Sequence, residues 1–335
     1  MKDNAALYPS SGKSASNYHG YAMHSHNPPA HQPRVTVLLA TFNGRRWLPD
    51  QVTSILNQRG VAVRVVIMDD GSVDGTVDWI NDLASREPRV TVLPADEPSG
   101  SAAANFYRLI ERADTHDADL VALADQDDIW VPDKLERHAE LILARRVAAV
   151  SSSITSFDAD GRRTLVRKSY PQRRFDYLTE SPGPGSTFLM TPAVVALVRD
   201  VLRDDPLART AEYHDSLIYA IVRARGWGWH IDAEPTVDYR QHENNVMGSN
   251  VGGAPALARL RLIQSKWHRQ QALIHAEVGL KVASDATRPG LQRMNSLMAD
   301  TGVRSRLALA ATAGSLRRRP RDRFVIGALI ACGVW

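Results

Sequence analysis

Residues 118–135 read ADLVALADQDDIWVPDKL, and the fold follows from this stretch. Leu120 to Ala124 is an unbroken apolar run of strand length that stops abruptly at Asp125, Gln126, Asp127 and Asp128. A helix is predicted to begin near Pro132, since proline is preorganised for a first helical turn. A strand with no polar face belongs to a sheet covered by helices on both sides, so the flanking sequence should alternate strand with helix.

It does. Strands are predicted over 35–40, 63–68 and 90–93, and helices over 47–57, 74–84 (with Asp74 as its cap) and 102–113. Sheets of this kind bind ligands beyond the carboxyl ends of their strands. Those ends are Thr41-Phe42-Asn43, Asp69-Asp70-Gly71-Ser72 and the Asp125–Asp128 cluster, so chemistry is sought there.

Three carboxylates at one strand end repel one another unless a cation or hydrogen-bond donors offset them. A divalent cation, manganese or magnesium, fits oxygen ligands of this type, because such ions commonly bridge one or two carboxylates to diphosphate oxygens. In the other reading, Asp128 or Asp133 only caps the following helix. The Asp69-Asp70-Gly71 turn likewise either turns a carboxylate towards a ligand or is an ordinary strand-to-helix connection. Thr41-Phe42-Asn43-Gly44 departs from the glycine-rich dinucleotide fingerprint, which argues against a nicotinamide or flavin dehydrogenase. A dehalogenase-like phosphatase would carry its acids after the first strand, where this chain has Thr41, Phe42 and Asn43.

Beyond about residue 145 the alternation loosens. Strands are predicted over 148–154, 186–190, 227–231 and 236–239, with a helix over 215–224. From 256 onward the chain reads as helices, with Leu260, Ile263, Trp267, Ile274 and Val278 on one face. Residues 1–33, rich in Ser, Asn, His and Pro, read as a disordered extension, and the four histidines there lack a scaffold that would fix them around a metal.

The bulk composition agrees with an enzyme-sized globular protein: 335 residues, 44% hydrophobic and 23% charged. Cys332 is the single cysteine, which excludes an intrachain disulfide or a cysteine zinc site and suits a reducing compartment. No run approaches the roughly 20 apolar residues of a bilayer span, and no secretory leader is apparent. The net charge is +4, but residues 304–335 hold seven arginines against one acid, a surplus of six, leaving −2 elsewhere. That local excess suits an anionic partner of the tail and not a nucleic-acid-binding body. Arg317 to Arg323 precede an apolar stretch over 324–335 that is too short to span a bilayer but long enough to lie in its interface. The expectation is a cytoplasmic protein held on the inner face of the membrane through this tail. The other reading is a tail packed on the catalytic domain with solvated arginines.

Six segments in order carry a resemblance: VTVLLATFN, VVIMDDGSVDGT, the opening stretch, GPGSTFLMT, YHDSLI and YRQHENNVMG. Together they resemble the inverting family-2 glycosyltransferases over residues 34–250, and DQDDIW, PDKL and YRQH resemble the bacterial rhamnosyltransferase branch in particular. The resemblance implies the α/β GT-A nucleotide-diphospho-sugar transferase fold: a mostly parallel central sheet flanked by helices. Residues 34–130 would be the nucleotide-binding half, 131–250 the acceptor half and 251–335 a helical extension.

It further implies transfer of a sugar from a nucleotide diphosphate, with dTDP-rhamnose the best guess, to a glycan or lipid-linked saccharide. Transfer would proceed with inversion and the help of manganese or magnesium. Thr41 and Asp70 would contact the pyrimidine nucleoside. Asp127 would bind the metal, with Asp125 serving the ribose or the metal's water shell. Asp215, in the His214-Asp215 pair, would be the catalytic base, and His242 either contacts metal or diphosphate or is structural. Gly183 and Gly185 would admit a sugar or form a plain turn, and Trp130 would cover the donor sugar or pack on the sheet. The alternative is a non-catalytic sugar-nucleotide-binding or scaffold protein of the same fold, against which Asp125, Asp127 and Asp215 together argue.

Overall fold

The first strand, β1 (Arg34–Thr41), shows how the molecule is layered. Its side chains alternate between two cores: Val35, Val37 and Leu39 enter one, Leu38 and Ala40 the other. The same division repeats in β2 (Ala62–Asp69) and β4 (Leu120–Ala124), so each strand carries apolar residues on both faces because both faces of the sheet are covered. The computed structural model describes residues 32–94, 97–241 and 266–335. Leu260, Ile263, His242 and nearly all of the extension expected over 1–33 lie outside them.

With β3 (Val90–Val92), β6 (Ala149–Ser152), β9 (Leu189–Met190) and β10 (Trp229–Asp232), these strands form a seven-stranded sheet ordered β10-β6-β9-β4-β1-β2-β3. Every pairing is parallel except those of β9, which runs antiparallel to both β4 and β6. A second, smaller sheet is ordered β5 (Ile129–Trp130), β11 (Val237–Arg240), β7 (Ile154–Phe157), β8 (Arg163–Val166).

Helices α1 (Leu48–Leu56), α2 (Thr76–Arg86) and α4 (Lys134–Arg145) cover one face, contributing Leu48, Ile55, Ile80, Leu135 and Ile142. The other face receives α3 (Ala102–Arg112), α5 (Pro192–Asp204) and α6 (His214–Ala224). The C-terminal helices join that second core: α7 (Trp267–Val282), α8 (Arg288–Ala299), α9 (Val303–Ala311), α10 (Ala313–Leu316) and α11 (Pro320–Ala331). Ile274, Val278, Leu291, Leu316, Ile326 and Ile330 are all buried in it. Residues 32–335 therefore form one unit, with the extension packed onto the body.

Three expected elements are corrected. The 186–190 strand shortens to Leu189–Met190, because Gly185–Thr187 winds into a 3-10 turn whose carbonyl Gly185 O accepts from Phe188 N at 2.8 Å. The 148–154 strand is two strands in different sheets, broken at Ser153, whose amide makes the last bond of the β6–β10 ladder, to Asp232 O at 3.0 Å. Asp74 does not cap α2: Gly75, at φ 87°, precedes Thr76, and Asp74 Oδ1 instead accepts from Thr76 N two residues on at 3.0 Å.

Candidate active site

The ends of β1 and β2 are joined by one carboxylate that the motif reading passed over. Asp69 Oδ2 accepts from Thr41 Oγ1 (2.7 Å) and Ser72 Oγ (2.6 Å), and Oδ1 from Gly71 N (3.0 Å) and Ser72 N (2.7 Å). Thr41 is buried and its hydroxyl faces Asp69, so its side chain shapes the strand end from within. Asp70 turns the other way and accepts from Ser99 N (2.6 Å) and Gly100 N (3.1 Å), with Arg108 at 3.8 Å. Gly71 is required directly after them: its φ is 87°, and a Cβ there would lie 2.7 Å from Pro98.

Beside this turn, Gln126 ties the acidic cluster to β1. Its amide accepts from Phe42 N and donates to Phe42 O, both at 2.8 Å. From the opposite side comes Arg240, at the end of β11. Its Nε donates to Asp127 O (2.9 Å), its backbone N donates to Asp128 Oδ1 (3.3 Å), and it pairs with Asp50 at 3.5 Å. Hence YRQH matters here through its arginine, and His242 lies outside the described residues.

The expected clash of carboxylates is present. Burial, then the charges of Asp127 and Asp215, push Asp125 up to about 7. Burial, then Asp127 and Asp125, hold Asp128 well above the usual carboxylate range. Asp128 Oδ2 is buried with no hydrogen-bond partner among the described residues. Asp133 makes no side-chain cap to α4, and Asp128 Oδ1 accepts from Arg240 N at the end of β11, so the capping reading does not account for the cluster.

Among the described residues no group of three potential ligands is gathered for a metal. The set Asp125 and Asp127 fits a hard cation only in the mode that uses one or two carboxylates and leaves other positions to substrate oxygens. Trp130 is buried in the core, with Lys134 Nζ 3.3 Å from its ring centroid, so it packs on the sheet and does not cover a sugar.

Asp215 sits in the first turn of α6. One oxygen accepts from Ser216 N (2.5 Å) and the other from Ser181 Oγ (3.0 Å). Its charge is felt by Asp125 across the site and by Lys168, Tyr107, Tyr213, His214 and His275 around it. His214 is stacked on Phe106 with centroids 3.9 Å apart, and burial pushes it down to about 4. It is therefore neutral near pH 7. Gly185 lies against this histidine: a Cβ there would come within 2.3 Å of His214 Nε2. The glycine turn thus serves close packing beside Asp215. Ser181, Asp69, Gln126 and Arg240 are the residues that motif reading missed; Arg240 and Gln126 stood inside quoted motifs, whereas Ser181 carried no spacing signal.

Comparison with known proteins agrees with this architecture. The chain is 31% identical over 290 residues to the dTDP-rhamnosyl transferase RfbG of Shigella flexneri, covering 86% of this chain and 97% of RfbG. It is 31% identical over 150 residues to the putative teichuronic acid biosynthesis glycosyltransferase TuaG of Bacillus subtilis, covering 45% of this chain and 55% of TuaG. In structure it resembles S. aureus TarS 1–349 in complex with UDP-GlcNAc, with a TM-score of 0.54 and 13% identity over 90% of this chain and 82% of that one, a likeness of fold alone. Residues 36–205 match Glycosyl transferase family 2. With half of its length in that match and a full-length relative at 31% identity, the chain belongs to glycosyl transferase family 2 and is a glycosyltransferase of GT-A fold.

Proposed function

We propose that the protein transfers rhamnose from dTDP-rhamnose to a hydroxyl of a glycan or lipid-linked saccharide, inverting the anomeric centre in one displacement. What supports this most is that Asp215 is near enough to the acidic strand end for its charge to raise Asp125. A base on one side and a diphosphate site on the other is what in-line displacement requires. The rhamnosyl donor is supported by the similarity to RfbG over nearly that protein's whole length.

In this reading the acceptor hydroxyl oxygen attacks the anomeric carbon and its proton passes to Asp215, a contribution of roughly 10²- to 10⁴-fold for a positioned base. The carbon–oxygen bond to the diphosphate breaks and its electron pair leaves with dTDP. Asp127, with Asp125, would hold manganese or magnesium, which when bound offsets the charge of the departing diphosphate. Asp70, with the Thr41 strand end that Asp69 shapes, would form the nucleoside pocket. Residues 34–130 would serve the nucleotide and 131–250 the acceptor.

The C-terminal extension also supports a peripheral attachment to the inner face of an anionic membrane, in a form different from the continuous basic run. No helix among the described residues is long and apolar enough to cross a membrane. Val303 and Leu307 on α9 and Phe324 and Val325 on α11 are exposed, beside exposed Arg304 and Arg321. Exposed apolar side chains beside arginines suit interfacial binding, with each arginine near an anionic surface worth about 1 kcal/mol. Sedimentation with anionic vesicles at low salt should deplete the wild type and leave a Leu307→Ser/Phe324→Ser variant in the supernatant; equal behaviour rules the attachment out.

The transfer itself is tested by incubating the protein with dTDP-rhamnose and manganese and measuring released dTDP, water standing in for the acceptor. Release that requires Asp215 supports the reading, and no preference for dTDP-rhamnose over UDP-sugars removes the donor assignment.

A further inference from the structure

The basic run does not all face outward. Arg317, Arg318 and Arg319 are bonded to the catalytic body, and Arg318 is only 5% exposed. We propose that residues 315–319 are a clamp that positions Asp215, so that the C-terminal extension takes part in catalysis by holding the loop against which this carboxylate rests.

Five consecutive residues of the extension grip one segment of the body. Ser315 O accepts from Phe175 N (3.0 Å) and Leu316 O from Thr179 Oγ1 (2.5 Å). Arg317 pairs with Glu180 at 3.4 Å. Arg318 reaches Glu180 Oε2 from both its Nε (3.0 Å) and its backbone N (3.1 Å), and its Nη2 donates to Ser181 O. Arg319 donates to Arg167 O at 3.2 Å and lies over the Tyr170 ring. A buried guanidinium is tolerated only with acids and acceptors around it, and Asp176, 3.7 Å away and itself fully buried, completes that set. Arg318 is thus held in place by residues that precede Ser181 by one to five positions.

Ser181 is the link to the site. Its carbonyl accepts from Arg318, while its hydroxyl accepts from Gly183 N at 3.3 Å and shares its one proton between Gly183 O, the nearer acceptor, and Asp215 Oδ2 at 3.0 Å. The other carboxylate oxygen is held by Ser216 N. Release of Ser181 leaves the carboxylate held at Oδ1 alone, by Ser216 N and Ser216 Oγ, and free to swing Oδ2, and misplacing a reacting group by about 1 Å can cost on the order of 10²-fold in rate. Arg318 and Glu180 touch no reacting atom in this scheme; they are positioning residues, and their role rests on the reading of Asp215 as the base.

The test measures dTDP release from dTDP-rhamnose and dTDP affinity for Ser181→Ala, Glu180→Gln, Arg318→Lys and Asp215→Asn, the first also in the Asp215→Asn background. The clamp predicts kcat about tenfold lower in each of the first three, with donor KM and dTDP affinity within twofold of wild type, and no further loss when Ser181→Ala is added to Asp215→Asn. If Arg318→Lys does not fold, Glu180→Gln breaks the same pairing from the other side. Unchanged kcat in Glu180→Gln and Ser181→Ala with inactive Asp215→Asn overturns the clamp and leaves the base standing. Wild-type turnover in Asp215→Asn overturns the base, and the clamp with it. A further loss from Ser181→Ala in the Asp215→Asn background also overturns the clamp.

Discussion

Thr41 Oγ1 donates to Asp69 Oδ2 at 2.7 Å, closing the ends of β1 and β2 into one frame. The same carboxylate accepts from two backbone amides and a serine hydroxyl in the next three residues, so four donors depend on it. Removing it leaves them unpaired in a part-buried turn.

Asp69→Ala should therefore lose about 3 kcal/mol of stability, because buried donors stranded without a charged acceptor each cost about 1–3 kcal/mol and partial relaxation recovers some of this. Thr41→Val deletes one donor and keeps the shape, and should cost about 1 kcal/mol. Urea unfolding of both variants checks the ratio. Equal losses would show that the frame does not centre on Asp69.

This frame also shows where sequence reading stops. The layered sheet was legible because Leu120 to Ala124 and its neighbouring strands are apolar on both faces, which demands helices on both sides. Asp69 and Asp70 looked alike as two acids before a glycine. Only the turn distinguishes them: one points into the frame, the other towards Ser99 and Gly100. The β9 strand was overextended because the Ser186–Met190 segment has no local mark where its 3-10 turn gives way to pairing. Ser181 reaches Asp215 across 34 residues of sequence, a distance at which no periodicity or motif gives a signal.

The buried histidines make stability pH dependent. His214 is pushed down to about 4, and burial also lowers His138 and His275. Between about pH 6.5 and 4 the unfolded chain binds the proton that folded His214 refuses, so its contribution falls as pH falls, by about 1.4 kcal/mol per unit. Asp125, raised to about 7, acts in the opposite direction over much of that range, so the difference between proteins is the informative quantity. Wild type minus His214→Gln, measured by urea unfolding at pH 6.5 and 5, should show a wild-type slope steeper by about one proton. Parallel slopes would mean that His214 is not held neutral.

The acidic strand end gives a binding prediction. Asp127→Asn should abolish the manganese-dependent part of dTDP affinity in calorimetry, while Arg240→Gln, which frees the Asp127 carbonyl, should weaken it by less. A nucleotide at 100 times its dissociation constant stabilises the folded state by about 2.7 kcal/mol, so thermal midpoints of wild type with dTDP and manganese should rise together with the calorimetric signal. Unchanged manganese-dependent affinity in Asp127→Asn would remove that residue from the metal site.

The most direct measurement compares dTDP release from dTDP-rhamnose by the wild type, by Asp215→Asn and by the wild type in chelator. Turnover is expected in the wild type with manganese, with a loss of at least about 10²-fold in Asp215→Asn at unchanged dTDP affinity and a comparable loss in chelator. Turnover by Asp215→Asn within tenfold of the wild type would contradict the reading of Asp215 as the base.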